Sequence, residues 1–426
     1  MESKHPLFPR QYILPFVLVT TLFFLWGIPH NLNDILIRQF MKAFEMNRVR
    51  AGLIQSAFYL GYFLLAMPAA LIMRKRGYKF GLLTGLALYC LGTLLFWPAA
   101  IVGQYWFFLL ALFIIASGLG FLETGANPFI AQMGDPDSSE RRLNFSQAFN
   151  PFGAISGALI GTVFIFSGVE LSPAQIGAMK AAGTYQPYLR HETMRVIAPY
   201  LVLCCVVFAI AVLIARTKFP QMAGEAEPDS AGHGSYRDLL QFPHFIQAVI
   251  AQFLYVGAQV GTWSYFIQYI QDYTRLPEKP AGYLLTGTLA AFCVGRFSST
   301  VLMRFIRPNV LMGIYSIANV GLLLIAVLMP GWVGMWSIFL TSFFMSLMFP
   351  TIFALGIKGL GINTKIGGSL LVMAVAGGGV FTPLMGWVSR NSGMATAMLV
   401  PLACYLFIAW YSFVGSRVRH VELPGR

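Results

Sequence analysis

Charged residues are scarce in this chain. Only 11% of its 426 residues are Asp, Glu, Lys or Arg and 57% are hydrophobic, whereas an ordinary soluble domain carries about a quarter charged residues. This composition argues against a soluble fold. The few charges are also unbalanced, because Lys and Arg exceed Asp and Glu to give a formal charge of +13. The basic residues lie between long apolar runs, as membrane topology signals do, so no nucleic-acid partner is expected.

Cysteine is also scarce, and its placement argues against two kinds of site. The five cysteines all lie in apolar stretches and none forms a CxxC pair, so neither a disulfide framework nor a metal site is indicated. A cleaved signal peptide is not indicated either. The first apolar stretch, about 12–37, is too long for a signal-peptide core and no small-residue cleavage site follows it. We expect this stretch to be retained as the first helix.

Long apolar runs dominate the rest of the sequence. A helix needs about twenty mostly apolar residues to cross the hydrocarbon of a bilayer, and twelve runs of about that length can be counted. They cover approximately 12–37, 51–73, 79–100, 105–132, 143–167, 195–216, 245–271, 280–303, 309–329, 332–357, 365–389 and 394–415. The sequence therefore predicts an all-α membrane protein with twelve transmembrane helices.

The longest strongly polar stretch divides these helices into two sets of six. Residues 218–243 are predicted to form a cytoplasmic linker between an N-terminal half, 1–217, and a C-terminal half, 244–426. If the linker is cytoplasmic, eighteen Lys and Arg fall in cytoplasmic loops and tails, nine on the opposite side and two within helices. This bias predicts a multi-pass protein of a bacterial-type inner membrane with both termini in the cytoplasm.

The two halves resemble each other weakly. The string NFSQAFNPFGAISGALIG from Asn144 aligns without a gap with SLLVMAVAGGGVFTPLMG from Ser369, which places Gly153 opposite Gly378. Internal repeats of this kind are typical of transporters. The alternative is chance, because small residues and prolines are frequent in membrane helices.

Asp34 lies in the first apolar run, where an ionised carboxylate is costly unless it faces a cavity or a partner. His30, Asn31, Asp34 and Arg38 recur at helical spacing and form one polar face. That face must point into protein or water, and Arg38 is expected to have a gating or structural role. The alternative is a structural ion pair between Asp34 and Arg38.

Glu123 lies in the fourth run with no Lys or Arg within a turn or two. Desolvation without a countercharge favours the protonated form of a carboxyl group, so such a group is suited to loading and releasing a proton. Asn127, one turn later, is a candidate substrate contact on the same face. The alternative is a permanently protonated Glu123 that donates one structural hydrogen bond.

Amide side chains in two further helices are candidates for binding a sugar, since amides both donate and accept hydrogen bonds. Gln147 and Asn150 share a face of the fifth helix. In the seventh helix, Gln252 and Gln259 alternate with aromatic rings that include Trp263. The alternative is that these amides join helices together and that the rings are ordinary packing. Arg296, in VGRF, is expected to be a conformational rather than a binding residue.

Several motifs together carry a family resemblance that covers most of the chain. They are LFFLWGIPHNLNDIL, AGLIQSAFYLGYF, GLGFLETGANPF, RLNFSQAFNPFGA, YVGAQVGTWSY and FPTIFALGIKGLG. With these strings the chain resembles the fucose:proton symporter family of the major facilitator superfamily. The resemblance implies two pseudo-symmetric six-helix bundles and a rocking, alternating-access mechanism.

The resemblance also implies roles for residues. The family's proton-linked carboxylates correspond to Asp34 and Glu123, and its substrate-contacting polar residues to Asn31, Gln147 and Asn150. One position departs from the family, which has Tyr where this chain has Phe349. That departure leaves the identity of the sugar open.

We therefore expect a monomeric, lipid-embedded symporter that couples entry of a monosaccharide, first of all L-fucose, to protons. No cofactor is expected beyond the coupling ion, for which sodium is an alternative. Glucose, galactose and N-acetylglucosamine are alternative substrates, and a drug exporter is a more distant one. An enzyme is not expected, since we find no metal cluster and no nucleophile with an adjacent base.

Overall fold

Long apolar helices form most of the fold. The computed structural model describes residues 12–133, 145–219, 236–303, 305–360 and 363–417, and within these ranges twelve helices are long and apolar enough to cross a membrane. They are α1 (Ile13–Ala43), α2 (Arg48–Met73), α3 (Lys75–Val102), α4 (Tyr105–Asn127), α5 (Phe145–Ile165), α6 (Tyr185–Arg216), α7 (Pro243–Thr274), α8 (Glu278–Leu302), α9 (Pro308–Leu328), α10 (Trp332–Ile357), α11 (Gly367–Ser392) and α12 (Met394–Gly415). The predicted all-α fold with twelve spanning helices is confirmed.

Two helices extend well past their predicted ends. Helix α1 runs to Ala43, six residues beyond the predicted end, and α6 begins at Tyr185, ten residues before the predicted start. The added turns carry charged side chains that pair inside the protein, as Lys42 and Glu192 do. Apolar content alone therefore does not mark where these helices end.

The chain packs into two compact units, and each unit includes a short segment from the other half of the sequence. The first unit falls within Met1–Met46, Leu60–Pro228 and Pro277–Tyr283, and the second within Asn47–Tyr59, Asp229–Leu276 and Leu284–Arg426. Helix α2 is divided after Tyr59 and helix α8 after Tyr283. These helices hold equivalent places in the two sets of six, because each is the second of its set.

The predicted boundaries of the halves remain predictions. Most of the predicted linker, residues 220–235, lies outside the described residues. On either side of that gap, helix α6 ends at Arg216 and helix α7 begins at Pro243.

Glycines allow the same kind of close helix approach in both units. A Cβ atom on Gly153 of α5 would collide with the carbonyl oxygen of Phe24 in α1. In the second unit, a Cβ atom on Gly377 of α11 would collide with the carbonyl oxygen of Phe253 in α7. The equivalent contact thus falls on Gly377, one residue before the glycine that the ungapped alignment places opposite Gly153.

Helix α1 contains a proline, and a side chain from α3 supplies the hydrogen bond that the proline cannot make. Pro29 has no N–H group with which to bond the carbonyl oxygen of Leu25 one turn earlier. The hydroxyl group of Tyr89, which is fully buried, donates to that oxygen at 2.9 Å. The helix therefore continues past Pro29 into the turns that carry the polar face of α1.

Candidate substrate and proton site

The polar face of α1 is turned into the protein. The side chains of Asp34 and Asn31 are only 3% and 5% exposed, and His30 is partly buried. The Asn31 amide donates to the Gly27 carbonyl oxygen over 3.4 Å, while its Oδ1 atom has no hydrogen-bond partner among the described residues. The His30 ring lies 5.4 Å from the ring of Tyr62. Asp34 thus shares a buried environment with the amide of Asn31, whose oxygen atom can still accept a hydrogen bond.

Glu123, Asn127 and Gln147 are brought together by α4 and α5. Helix α4 remains helical to Gln132, so Asn127 lies one turn after Glu123 and donates to its carbonyl oxygen at 3.0 Å. Gln147 in turn donates to the Asn127 side-chain oxygen at 3.2 Å. All three side chains are only partly buried. The two amides are thus bonded to each other and, through the main-chain carbonyl of Glu123, to the turn of α4 that carries its carboxyl group. We call these three partly accessible residues of the first unit the α4–α5 cluster.

Asn150 lies close to α1. Its amide donates to the Phe23 carbonyl oxygen at 3.2 Å, next to the tight approach of Gly153 and Phe24. The side chain is partly exposed. Asn150 therefore joins α5 to α1 in the way that the packing alternative anticipated, and it keeps accessible surface as well.

The predicted residues of α7 have different surroundings. Gln252 is fully buried, and neither polar atom of its amide has a hydrogen-bond partner among the described residues. Gln259 is partly exposed. Trp263 donates its indole N–H to the Ser342 hydroxyl oxygen at 2.9 Å. Gln259 and Trp263 are therefore the more accessible of the three.

Phe349, the position that departs from the family, belongs to this same region of the second unit. Its ring centroid lies 6.4 Å from that of Tyr255. Tyr255 is fully buried and donates its hydroxyl to the Met345 carbonyl oxygen at 3.0 Å. Phe349 thus places a hydrocarbon ring without a hydroxyl group near Tyr255.

Arg296 braces helix α8 against α10. Its Nε atom donates to the Ser346 carbonyl oxygen at 3.3 Å, and its guanidinium carbon lies 4.9 Å from the centre of the Phe292 ring. Its conformational role remains a prediction. A backbone carbonyl oxygen and the face of an aromatic ring both attract a guanidinium cation.

Arg38 belongs to an ion cluster that the sequence analysis missed. Its Nη2 and Nε atoms lie 3.4 Å and 3.9 Å from carboxylate oxygens of Glu170 and Glu278, respectively. Lys42 Nζ lies 3.2 Å from Glu192 and 3.1 Å from Glu278. The Glu278 side chain is fully buried. These five residues, here named the α1 ion cluster, hold the first turn of α8 in the first unit.

A second missed contact holds the first turn of α2 in the second unit. The Arg48 guanidinium lies 2.7 Å from Asp272 at the end of α7 and 2.6 Å from the Ser389 hydroxyl of α11. One sequence signal was available for the first cluster, because Lys42 follows Arg38 at helical spacing. Acidic residues such as Glu192 and Asp272 lay in predicted loops, where charges are ordinary.

Comparison with known proteins identifies the superfamily and several relatives. Residues 14–360 match the Major Facilitator Superfamily. An L-fucose-proton symporter of Escherichia coli (strain K12) is 43% identical over an aligned length of 427 residues. The alignment covers 96% of this chain and 94% of that protein. A glucose/galactose transporter of Brucella abortus biovar 1 (strain 9-941) is 33% identical over 410 residues, or 96% of this chain and 95% of that protein.

Solved structures give the same fold. The crystal structure of the transporter FucP in the outward conformation has a TM-score of 0.72 and 42% identity, covering 96% of this chain and all of that chain. A D-xylose-proton symporter has a TM-score of 0.71 at 12% identity, covering 94% of this chain and 97% of that chain, and so shows the fold alone. Twelve helices in two pseudo-symmetric bundles define a membrane transporter. The chain belongs to the fucose:proton symporter family of the major facilitator superfamily.

Proposed function

We propose that this protein is a proton-coupled symporter that carries a monosaccharide, L-fucose in the first place, into the cell by alternating access. Two relatives that cover nearly the whole chain, from Escherichia coli and Haemophilus influenzae, are named L-fucose-proton symporters. The proposal requires binding and movement but no covalent chemistry.

The α4–α5 cluster is the observation that carries the proposal. Asn127 and Gln147 are linked to each other and to the helix of Glu123, and all three keep accessible surface. Amides exchange hydrogen bonds with sugar hydroxyls, while a carboxyl group with no cation nearby in sequence is suited to carry a proton. Substrate and proton would thus be bound by adjacent turns of α4 and α5.

Coupling follows if the carboxyl groups bind protons on one side and lose them on the other. Glu123 and Asp34 would be protonated from the periplasm, and only the loaded carrier would reorient readily, because charged carboxylates are costly to enclose in a closed cavity. Sugar and protons need only bind the two states with different affinities to shift their populations. Arg38, through the α1 ion cluster, would change its partners as the carrier reorients.

We also propose an orientation in the membrane and a location for the protein. The excess of Lys and Arg on the linker side supports cytoplasmic termini in an inner membrane. We propose a monomer that uses protons rather than sodium.

A second candidate is a carrier of glucose or galactose. The observation that favours it is Phe349, which lacks the hydroxyl of the family's tyrosine beside Tyr255. The glucose/galactose transporter of Brucella abortus also covers nearly the whole chain. Loss of one hydrogen-bonding group changes the discrimination between sugars that differ at a single hydroxyl.

Uptake into proteoliposomes tests both candidates. Purified protein would be given labelled L-fucose, glucose, galactose or N-acetylglucosamine under an imposed pH gradient, a sodium gradient, or neither. We expect concentrative uptake of L-fucose with the pH gradient alone, abolished by a protonophore. Accumulation driven by sodium alone would contradict proton coupling, and preference for glucose or galactose would establish the second candidate.

A further inference from the structure

The indole ring of Trp263 is held from two sides by groups outside its own helix. Its N–H group donates to Ser342 of α10 at 2.9 Å. Its ring packs nearly perpendicular to the Phe292 ring of α8, with centroids 5.2 Å apart and planes at 81°. Trp263 as a whole is partly exposed. Trp263 is therefore a fixed ring with an accessible part, rather than an enclosed core side chain.

The hydrogen bond of Trp263 continues through two buried hydroxyls. The oxygen atoms of Ser342 and Thr288 lie 2.7 Å apart, and Thr288 Oγ1 lies 2.7 Å from the Phe339 carbonyl oxygen. Both hydroxyl side chains are 1% exposed. The Thr288 hydroxyl is the donor in both contacts, so its single proton is shared between the Ser342 oxygen and the Phe339 carbonyl oxygen. The Ser342 oxygen thus accepts from the Trp263 N–H group on one side and from the Thr288 hydroxyl on the other.

This chain restricts how Trp263 can contact a ligand. The indole N–H is already bonded, so it is not available as a donor to a sugar hydroxyl. What remains is the apolar face of the ring, and Gln259, one turn earlier on α7, supplies a partly exposed amide beside it. An aromatic face next to an amide matches a pyranose, which has an apolar face of C–H groups and a rim of hydroxyls.

We propose that Ser342 and Thr288 are positioning residues that fix the plane of the Trp263 ring as a stacking surface for the sugar. The inference rests on the proposed function, because it requires that Trp263 contacts the substrate. Stacking depends on the angle and distance of the ring. Loss of the Ser342 acceptor would free the indole to tilt and would leave its N–H group without a partner.

The test is sugar exchange (counterflow) in proteoliposomes with wild-type protein and four variants: Ser342→Ala, Thr288→Val, Thr288→Ser and Trp263→Phe. Ser342→Ala and Thr288→Val should raise the KM for L-fucose about three- to tenfold with little change in maximal rate, the range expected for one interhelical hydrogen bond. Thr288→Ser keeps the hydroxyl group and should stay close to wild type. Ser337→Ala is the matched control on α10, because the Ser337 hydroxyl donates to the Val333 carbonyl oxygen of its own helix.

A double substitution separates positioning from general structural damage. Trp263→Phe removes the N–H group, so Ser342→Ala should add nothing to the KM in that background. An unchanged KM in both Ser342→Ala and Thr288→Val, or an equal effect of Ser342→Ala with and without the indole, would overturn the inference. If Ser342→Ala does not fold, as judged by its Tm in detergent, Thr288→Val and Thr288→Ser carry the same test.

Failure of the proposed function would give a different experimental result from failure of the positioning role. Trp263→Ala that transports L-fucose with a wild-type KM would remove Trp263 from the substrate contacts and overturn the inference with it. A wild-type protein that exchanges none of the sugars would refute the proposed function itself. A raised KM in Trp263→Ala combined with no effect of Ser342 or Thr288 would leave the proposed function standing and reject only the positioning role.

Discussion

Glu123 and Asp34 are the two carboxyl groups predicted to carry protons, and their surroundings differ. Glu123 is partly exposed beside two amides, Asn127 and Gln147. Asp34 is 3% exposed and lies one turn before Arg38, whose ion-pair partners are Glu170 and Glu278. The better access of Glu123 to solvent suits a group that exchanges its proton directly. Replacement of Glu123 should therefore affect proton coupling directly.

Replacing Glu123 with Gln should abolish net uptake driven by a pH gradient while exchange of labelled for unlabelled sugar continues. The amide resembles the protonated carboxyl group in shape but cannot release a proton. Both rates would be measured in the same proteoliposomes. The control is Glu45→Gln, since Glu45 is an exposed residue between α1 and α2. Concentrative uptake that survives in Glu123→Gln would refute the proton-carrying role.

Replacing Gln147 with Ala should weaken sugar binding. One or two hydrogen bonds to sugar hydroxyls would be lost, which corresponds to roughly a two- to thirtyfold rise in Kd. Binding would be measured by calorimetry on the purified protein. Gln186→Ala, at an exposed position of α6, controls for loss of an amide elsewhere. An unaltered Kd would assign Gln147 to helix packing alone.

At the scale of a single element, a side chain supplies one hydrogen bond that the backbone of α1 lacks. Pro29 leaves the Leu25 carbonyl without its usual donor, and Tyr89 supplies one. A buried carbonyl oxygen left without a partner costs about 1–3 kcal/mol. The polar face of α1 therefore depends on a hydroxyl group from α3.

Tyr89→Phe should lower the Tm in detergent, because it removes the donor to the Leu25 carbonyl oxygen and leaves a backbone acceptor buried. The loss should shrink in a Pro29→Ala background, where the backbone N–H of residue 29 can bond the same oxygen. Tyr283→Phe, at a side chain that is 49% exposed, is the control. Equal losses in both backgrounds would show that the hydroxyl does not act through the Leu25 carbonyl.

The α1 ion cluster supports a second prediction at this scale. Lys42→Met leaves Glu192 and Glu278 without their shared cation in a buried setting, and breaking a buried pair costs about 3–5 kcal/mol. The exposed pair of Lys180 and Glu45, at 3.6 Å, offers the contrast. Lys180→Met should change stability by less than about 1 kcal/mol. Similar Tm values for the two variants would contradict a stabilising role for the α1 ion cluster.

Individual polar residues could be located from the sequence, whereas their partners in other helices could not. Helical spacing placed Asp34 on a polar face and Asn127 one turn after Glu123, because both relations are local. The contact of Gln147 with Asn127 joins residues of different helices, so spacing within one helix could not reveal it. Lys42 and Glu192 were missed because both lay beyond the predicted ends of their helices.

At the scale of the whole molecule, the twelve helices follow directly from the apolar runs, since only helices satisfy all their backbone groups within lipid. The exchange of segments between the units was not predictable in this way. Residues 47–59 belong to α2 by sequence but pack with the second unit, and 277–283 belong to α8 but pack with the first. These segments make contacts with helices that are distant in sequence, such as those of Arg48 with Asp272 and of Lys42 with Glu278, and spacing within one helix does not reveal such contacts.

Proton movement caused by the sugar itself tests the central proposal most directly. Proteoliposomes containing a pH-sensitive dye would receive L-fucose with no imposed pH gradient and with the membrane potential clamped. The account predicts that the interior acidifies as L-fucose enters and that Glu123→Gln abolishes the acidification. Entry of L-fucose without any change of internal pH would contradict proton coupling.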